Sequence, residues 1–416
     1  MNARPLAVVA FALALRVPVP ALASEVPLVW HVESRDGKVL DTHDSDRPVN
    51  PASVVKLATT LRALDTLGPD HRFVTMFGLT GDAPTTPPPA GVDLVVEGGA
   101  DPDFHFENAV VVARALEDAG VTRVRGDLYV GPTFWIGWER GTAGRDPDAA
   151  RRRAEMGRRL LEAWSPASWN ADERKAWVEL AARRHWDEKR PPSVAVEGGV
   201  RIDPAPKWKP VVVHRSEPLV VALRRFNVYS NNDIERLDPS IGSAADLRTF
   251  LEKRWGDDGG KTSFSTSSGL NANRMSPRLV VRLLHDLAGW LKAHHLEPRD
   301  VMPVLGCGES TLQELFRKLA ANHEADGLVG KTGTLNLQDG GVSALAGFLD
   351  AGPGIVFFVA APGAGDRLWA ARSAEEDWIE RVLLKAGPVA PARCPRPVPT
   401  SEELAEISAP ARVSSR

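Results

Sequence analysis

PASVVKLATTLRAL, residues 51–64, carries apolar residues at the spacing of an amphipathic helix. Gly68 followed by Pro69 predicts where this helix ends. Ser53 and Lys56 lie three residues apart and therefore share one face of it. A serine hydroxyl becomes a good nucleophile when a base takes its proton, and a lysine amine can do so if burial or a nearby cation lowers its pKa. By itself, Ser-x-x-Lys is equally compatible with an ordinary helix start.

A second polar motif, Ser230-Asn231-Asn232, lies within residues 226–237. Serine and asparagine bond readily to nearby backbone, so a loop or a helix cap is one interpretation. The catalytic interpretation makes Ser230 a proton relay toward a leaving amine and Asn232 a donor that orients a substrate amide. The tripeptide alone does not decide between the two.

A third motif, Lys331-Thr332-Gly333-Thr334, opens a series of three apolar, β-branched runs separated by turns rich in Gly and Asp. The series predicts antiparallel strands, in which a glycine often marks the close approach of another backbone. An edge strand here would pair with an extended peptide. Lys331 would lower the pKa of Lys56 and attract a terminal carboxylate, which the threonine hydroxyls would hold. The alternative is a surface strand with one lysine.

The three motifs occur together in one order, each in the secondary structure that its role requires, and this combination is hard to attribute to chance. With them the chain resembles the D-alanyl-D-alanine carboxypeptidase/endopeptidase family of penicillin-binding protein 4, which are serine-type, low-molecular-mass class C penicillin-binding proteins. The resemblance runs from about residue 26 to about residue 385. Beyond the motifs it includes the segments 50–53, 97–102, 121–128, 267–270, 274–277 and 341–348.

The resemblance implies a role for every motif residue. Ser53 would be the acyl-enzyme nucleophile and Lys56 its base. The implied reaction is attack on the D-Ala-D-Ala bond of a peptidoglycan stem peptide, loss of the terminal D-Ala and hydrolysis of the acyl-enzyme; relatives often also cut the cross-linking peptide bond. No metal or organic cofactor is needed, and β-lactams would acylate the same serine. The remaining residues would form a second catalytic element (Ser230, Asn232, Lys331) and a substrate-binding strand (Thr332, Gly333, Thr334), with the backbone N–H groups of Ser53 and Thr334 as the oxyanion hole.

Two features depart from the family pattern. Thr266 stands where the family usually has an Asp before a Gly-Ser-Gly-Leu segment, which predicts the loss of a local hydrogen-bonding role. Residues 134–192 form only a short stretch rich in Trp and Arg, where relatives carry a third domain nested within the second. Because that domain helps to shape the cleft in relatives, the sequence leaves substrate size and endopeptidase activity open.

The composition and the N-terminus indicate a compartment. A formal net charge of −3 over 416 residues provides no general attraction to nucleic acid. Residues 1–23 have the pattern of a secretory signal peptide, with an apolar run cut short by Arg16 and an Ala-x-Ala site before Ser24. No later segment is long and apolar enough to be a transmembrane segment. We therefore predict export to the periplasm, where peptidoglycan lies.

Strands gathered with helices that cover them, without regular alternation, predict an α+β (mixed α/β) fold class. We expect a penicillin-binding-protein/β-lactamase-like transpeptidase domain with an antiparallel sheet, plus an inserted smaller α/β domain. The expected elements of the first are strands at 28–31 and 38–40, the three late strands, and helices at 276–291 and 369–385. The expected boundaries are 24–70 and 211–388 for the catalytic domain and 71–210 for the insert, whose shortened helical part is 134–192.

The insert is predicted to begin with a β-α-β unit, formed by a strand at 93–97, a helix at 107–119 and a strand at 121–130. Two charged helical stretches follow within residues 148–188. Their arginine-rich part is interpreted as a solvated helix face, with contact to an anionic wall polymer as the alternative. Residues 389–416 are predicted to be a disordered tail. Export permits a disulfide, but two cysteines, Cys307 and the tail residue Cys394, do not by themselves predict one.

Two other functions compete with the carboxypeptidase. A serine β-lactamase needs rapid deacylation, for which class A enzymes use a separate glutamate and a positioned water. The chain has no Glu-x-x-Leu-Asn-type segment between its first two motifs, and its long insert also argues against class A. The other alternative is a non-catalytic peptidoglycan-binding relative, which a missing motif residue would favour; every motif residue is present.

Overall fold

Two main β-sheets with helices packed on them form the described part of the chain. The computed structural model describes residues 26–81, 91–138, 146–323, 325–387 and 389–409. The predicted α+β class is confirmed, because strands and helices lie in separate layers. The predicted signal peptide at residues 1–23 lies outside the described residues.

The strands in chain order are β1 (Val29–Ser34), β2 (Val39–His43), β3 (Val74–Thr80), β4 (Leu94–Glu97), β5 (Arg123–Val124), β6 (Leu128–Val130), β7 (Ala195–Val196), β8 (Val200–Arg201), β9 (Trp208–Arg215), β10 (Val329–Leu335), β11 (Val342–Leu349), β12 (Ile355–Pro362) and β13 (Glu406–Ser408). The helices are α1 (Val55–Leu67), α2 (Phe106–Asp118), α3 (Ala149–Ala163), α4 (Ala171–Arg184), α5 (Leu219–Val228), α6 (Asp238–Ile241), α7 (Ala244–Trp255), α8 (Asp257–Gly260), α9 (Pro277–Ala293), α10 (Thr311–Leu315), α11 (Arg317–Asn322) and α12 (Leu368–Ala386). Short 3-10 helices lie at Ala52–Val54, Asn232–Leu237, Pro298–Asp300 and Gln338–Gly340.

The first sheet is antiparallel and combines strands from early and late parts of the chain. Its spatial order is β10-β11-β12-β1-β2, so the strand with the third motif is outermost, as predicted. Both faces are buried, because alternate residues of β11 face opposite sides: Ala344 and Ala346 pack toward α1, α5 and α9, and Leu345 and Leu349 pack toward α11 and α12. This places α1 inside the molecule, beside the edge strand.

The second sheet has the order β13-β9-β3-β4-β6-β8 and is mixed. Strands β4, β6 and β8 run parallel, while β3 is antiparallel to both β4 and β9. Helix α2 connects β4 to β6, which confirms the predicted β-α-β unit. Its apolar face packs with α3 on the sheet around Phe77, Phe104 and Trp164. The two predicted charged helices are α3 and α4, and arginines on the exposed side of α3 pair with local carboxylates such as Glu155.

The single strand predicted at 121–130 is wrong. The structure divides it into β5, which pairs with β7, and β6, which joins the second sheet. Gly126 lies at the break, where an added Cβ would stand 2.5 Å from the carbonyl oxygen of Val92. Close backbone approach at this glycine therefore separates the two short strands.

The disordered tail predicted at 389–416 is wrong for residues 389–409, which the structure describes as ordered. Strand β13 pairs with β9, and Cys394 forms a disulfide with Cys307, at a Cα–Cα distance of 5.3 Å. The tail is also held by side chains of the main body: Arg72 donates to the carbonyl of Leu404 over 2.8 Å. These contacts offset the chain entropy that composition alone predicts would keep the segment disordered.

Among the described residues, no helix combines the length and the apolar character needed to cross a membrane.

Candidate active site

Ser53 lies at the entrance of α1, in the 3-10 turn Ala52–Val54 that leads into the helix. The turn is bent sharply, because Ala52 has a φ of 49°, and its N–H donates to Asn50 Oδ1 over 3.0 Å. The next turn brings Lys56 onto the same face. The predicted end of the helix is confirmed at Gly68, which has a φ of 83°. The local sequence therefore places the hydroxyl and the amine side by side.

The amine of Lys56 has three oxygen neighbours. Its Nζ lies 2.9 Å from Ser53 Oγ, 2.8 Å from Asn232 Oδ1 and 2.7 Å from the carbonyl oxygen of Ser268. The side chain is fully buried. Burial lowers the pKa of Lys56 to about 7, against the opposing negative charge of Glu235. A large fraction of the amine is therefore neutral near neutral pH, which is the form that can accept a proton from Ser53.

The second motif begins where α5 ends. Ser230 adopts a φ of 53°, a left-handed conformation that turns the chain back, and Asn231 caps the following 3-10 helix by accepting from the N–H of Asp233 over 2.9 Å. The capping interpretation thus holds for Asn231, but the side chains of Ser230 and Asn232 contact the two lysines instead. Asn232 reaches Lys56, and Ser230 Oγ lies 2.8 Å from Lys331 Nζ.

The third motif lies on β10 with its lysine directed inward. Lys331 is fully buried, and its Nζ contacts Ser230 Oγ and donates to the carbonyl oxygen of Thr332 over 2.8 Å. Burial, together with the charge of Lys56, lowers the pKa of Lys331 well below its ordinary value. The sequence predicted that Lys331 would lower the pKa of Lys56, but burial causes that shift, and the charge effect runs the other way: the charge of Lys56 lowers the pKa of Lys331. Lys331 is thus an interior amine and not an exposed surface cation.

Gly333 allows β10 to lie close to the turn that carries Ser53. A Cβ at this position would lie 2.5 Å from the carbonyl oxygen of Pro51 and 3.2 Å from Ala52 Cβ. Only glycine allows β10 to pack directly on the turn that carries Ser53. The predicted close backbone approach at this glycine is confirmed.

The two threonines of the third motif point to different partners. Thr332 is buried, and its hydroxyl contacts the hydroxyl of Thr311 over 3.0 Å. Thr334 is partly exposed, and its Oγ1 accepts from Arg372 Nη2 over 3.1 Å. Of the two threonines, only Thr334 is partly exposed.

Several residues of the site were not found by sequence reasoning. Ser268 lies in a segment of the family resemblance, but its contribution is a backbone carbonyl, which no side-chain pattern predicts. Its hydroxyl donates to Glu235, a buried carboxylate on the 3-10 helix after the second motif. Nothing in the sequence singled out Glu235 or Arg372.

Loops around the site are connected by a polar network. Asn50 donates to Asp339 over 2.9 Å, and Arg274 forms a two-pronged ion pair with the same carboxylate. Asp339 belongs to the turn that follows β10. The network therefore links the segment before Ser53, the segment after Gly269 and the turn after the third motif.

The predicted loss of a hydrogen-bonding role at Thr266 is wrong. Its hydroxyl accepts from the N–H of Gly269 over 3.1 Å and donates to the carbonyl of Leu270 over 3.2 Å. A threonine hydroxyl can both accept and donate, so it maintains this turn without a carboxylate. The turn matters because Gly269 packs on Ala52, where an added Cβ would stand 2.0 Å from the carbonyl oxygen.

The structure therefore brings all three motifs to one place. A partly exposed serine lies beside a buried amine of lowered pKa, and a second serine–lysine pair lies next to them at the edge of a sheet. This arrangement suits nucleophilic acyl transfer, in which one amine takes the proton of the nucleophile and the second pair delivers a proton to the leaving group. Among the described residues, no group of three or more His, Cys, Asp or Glu side chains is placed to hold a metal ion.

Comparison with known proteins identifies relatives of the chain. Residues 12–149 and 189–376 match the family described as the D-Ala-D-Ala carboxypeptidase 3 (S13) family. A D-alanyl-D-alanine carboxypeptidase from Actinomadura sp. (strain R39) is 37% identical over 123 residues, which are 29% of this chain and 22% of the length of that relative.

Solved structures show the same fold. The predatory endopeptidase Bd3459 of Bdellovibrio bacteriovorus, in complex with an immunity protein, matches with a TM-score of 0.73 and 21% identity, over 90% of this chain and 98% of that one. The same endopeptidase acylated by penicillin G matches with a TM-score of 0.71 and 21% identity, over 91% and 99%. Penicillin-binding protein 4 from Haemophilus influenzae matches with a TM-score of 0.60 and 16% identity, over 85% and 96%.

Proposed function

The chain belongs to the D-Ala-D-Ala carboxypeptidase 3 (S13) family of serine peptidases, and we propose that it removes the terminal D-Ala of peptidoglycan stem peptides through an acyl-enzyme on Ser53. One observation carries this proposal: Ser53 Oγ lies 2.9 Å from the buried amine of Lys56. A hydroxyl next to an amine with a pKa of about 7 is an activated nucleophile at neutral pH.

The first half of the reaction is acylation. Neutral Lys56 takes the proton of Ser53, and Oγ attacks the carbonyl carbon of the D-Ala-D-Ala bond. The backbone N–H groups of Ser53 and Thr334 receive the oxyanion; close packing of β10 on the turn of Ser53 supports this role. As the C–N bond breaks, the hydroxyl of Ser230 gives its proton to the departing nitrogen, and Lys331 resupplies it. Free D-Ala leaves.

The second half is hydrolysis of the ester. Before this step, the proton that Lys56 took from Ser53 replaces the one that Lys331 gave up, so that both amines return to their starting states. Neutral Lys56 then takes a proton from water, and the resulting hydroxide attacks the acyl carbonyl carbon. The C–O bond to Ser53 breaks as Lys56 returns that proton to the serine oxygen. Asn232, whose Oδ1 contacts Lys56, orients both the amine and the substrate amide. Thr334 holds the substrate carboxylate through its hydroxyl, and Thr332 and Gly333 shape the strand along which the peptide lies.

A second activity, endopeptidase cleavage of the cross-linking bond, is favoured by two observations. The third motif lies on the outermost strand of its sheet, where an extended peptide has space to pair. The chain also shares its fold over almost the full length of a predatory peptidoglycan endopeptidase. Mass spectrometry of muropeptide digests separates the two activities, because loss of a single D-Ala and loss of a cross-link give products of different mass.

We also propose that β-lactams acylate Ser53 and that the enzyme acts in the periplasm after export. A fluorescent penicillin should label the purified protein covalently, and Ser53→Ala should abolish labelling while thermal unfolding stays nearly unchanged. The exposed serine variant Ser165→Ala is the matched control and should label like the wild type. Labelling that persists in Ser53→Ala would place the nucleophile elsewhere. A wild-type adduct that hydrolyses within seconds would favour the β-lactamase alternative.

A further inference from the structure

We infer that Arg372 is the cation that binds the terminal carboxylate of the substrate and of β-lactams. This inference rests on the proposed function, because it needs a D-amino acid carboxylate to be seated beside Thr334. It assigns a specificity-determining role to a residue outside the three motifs.

The lysine of the third motif is poorly placed for this task. The side chain of Lys331 is fully buried, and its amine contacts Ser230 Oγ and the carbonyl oxygen of Thr332, both within 2.8 Å. Because the side chain is fully buried, a carboxylate could reach this amine only after the atoms around it had moved. Burial also lowers the pKa of Lys331 well below its ordinary value, because its charged form is desolvated.

Arg372 reaches β10 from helix α12. It lies in the second turn of α12, is half-buried, and donates from Nη2 to Thr334 Oγ1 over 3.1 Å. Thr334 directly follows Gly333, whose backbone packs on the turn of the nucleophile. The guanidinium is therefore held next to the end of the strand where the substrate's carboxylate is expected, one hydroxyl away from it.

Arg372 has no close ion-pair partner in the described part of the chain, and the carboxyl group whose charge acts on it is that of Glu375. Among the described residues, no carboxylate oxygen lies within 4.0 Å of its guanidinium nitrogens, and its buried Nε has no hydrogen-bond acceptor. Glu375, three residues further along α12, is fully buried and accepts from Ser343 over 2.7 Å. Burial raises the pKa of Glu375 to about 8, so this carboxyl group is mostly protonated at neutral pH.

A partly desolvated guanidinium without a close ion-pair partner binds carboxylates well. Its N–H groups form a planar fork that matches the two oxygens of a carboxylate, and such charge-assisted bonds are stronger than neutral ones. Water would screen the charge of a fully exposed arginine. The guanidinium of Arg372 is half-buried and is fixed in position by its hydrogen bond to Thr334. The pair of Arg372 and Thr334 therefore offers several donors to one carboxylate at the open edge of the sheet.

The test compares two substrates and three variants. The substrates are an N-acylated peptide that ends in D-Ala-D-Ala and the same peptide as its C-terminal carboxamide. We expect Arg372→Ala to lower kcat/KM for the free acid by roughly tenfold or more, mainly through KM, and to leave the carboxamide nearly unchanged. Arg372→Lys keeps a charge and should retain part of the preference. Arg381→Ala, which removes an exposed arginine from the same helix, is the control and should keep the wild-type ratio.

The decisive readout is the ratio of kcat/KM for the free acid to kcat/KM for the carboxamide, because a purely structural role of Arg372 would change both values alike. An equal loss with acid and carboxamide, or a wild type that does not prefer the acid, overturns the inference. The acylation rate by a penicillin, which carries a carboxylate, should fall along with hydrolysis of the acid. Failure of the proposed function itself would look different: the wild type would show no covalent penicillin adduct and would release no D-Ala.

Discussion

Two clusters of buried ionisable side chains differ in the sign of their charges. The lysine cluster of the candidate active site contains Lys56 and Lys331, two amines of like charge, each bonded to a serine that is partly exposed. The arginine–carboxylate cluster contains Arg225, which donates to both oxygens of Glu217, in one case over 2.9 Å, and also pairs with Asp103. All three members of the second cluster are nearly fully buried.

The arginine–carboxylate cluster is closed on every side that the structure describes. Arg225 also donates to the carbonyl of Pro399 in the tail, and Asp103 contacts His105 over 2.9 Å. Burial lowers the pKa of His105 to about 4, so this histidine is neutral at physiological pH. Opposite charges cancel here without a route for a substrate, and we interpret the cluster as the connection between α5, the second sheet and the tail.

The comparison shows that burial alone does not identify a catalytic group. Burial shifts pKa values in both clusters, but of the two only the lysine cluster combines like charges with partly exposed serines. Burial lowers the pKa of both lysines, and the charge of Lys56 adds to this effect at Lys331, so the neutral form of each amine is favoured. In the second cluster, by contrast, the arginine is paired with carboxylates. Changes in the two clusters should therefore affect different properties of the protein.

The largest expected effect is on acylation. Lys56→Met removes the proposed base and should slow labelling by penicillin by about 10²–10⁴-fold. The free energy of unfolding should change little or rise, because a buried amine is replaced by an apolar side chain of similar length. Stopped-flow or gel measurement of labelling, together with thermal unfolding, tests both parts. Lys253→Met, at an exposed site, is the control. Normal acylation by Lys56→Met would assign the base to another group.

The reverse result is expected in the second cluster. Arg225→Met leaves Glu217 and Asp103 buried without their cation and should lower the free energy of unfolding by about 3–5 kcal/mol. Protein that remains folded should still be labelled by penicillin at the wild-type rate. Denaturant titration measures the first effect, with Arg201→Met as the control, because its pair with Asp203 is exposed and is worth less than about 1 kcal/mol. If stability is retained and labelling is lost, the second cluster is part of the active site.

The smallest effect is a change in pH dependence. The negative charge of Glu235 raises the pKa of Lys56, so Glu235→Gln should lower that pKa below its value of about 7. The neutral amine then persists to lower pH, and the acidic limb of the acylation rate should move to lower pH. Rates of penicillin labelling across pH 5–9 test this shift. An acidic limb that stays in place, or moves to higher pH, would show that the charge of Glu235 does not raise the pKa of Lys56.

Local pattern was sufficient for much of the fold. The helical period around Ser53, the three late strands and the two long helices α9 and α12 were all predicted, because the residues that form each of them are neighbours in the sequence. The errors fall where distant segments meet. The strand predicted at 121–130 is divided by close contact with Val92, and the tail predicted to be disordered is held by Arg72 and by Cys307.

The candidate active site shows the same difference between local pattern and contacts of distant segments. The motif residues were identified from their types and order, but the three contacts of Lys56 include residues 176 and 212 positions away. No local pattern indicates that Ser268 contributes its carbonyl, that Glu235 lies behind it, or that Arg372 reaches Thr334 from another helix.

The sequence by itself determined which chemical groups are present and in which order: a serine with an amine one helical turn away, a second serine, and a lysine on a glycine-containing edge strand. Only the tertiary structure decided the state and the place of those groups. A lysine loses its proton near neutral pH because surrounding atoms exclude water from it, and those atoms come from segments far apart in the chain. Folding likewise left Lys331 in the interior and brought Arg372 of α12 to the hydroxyl of Thr334.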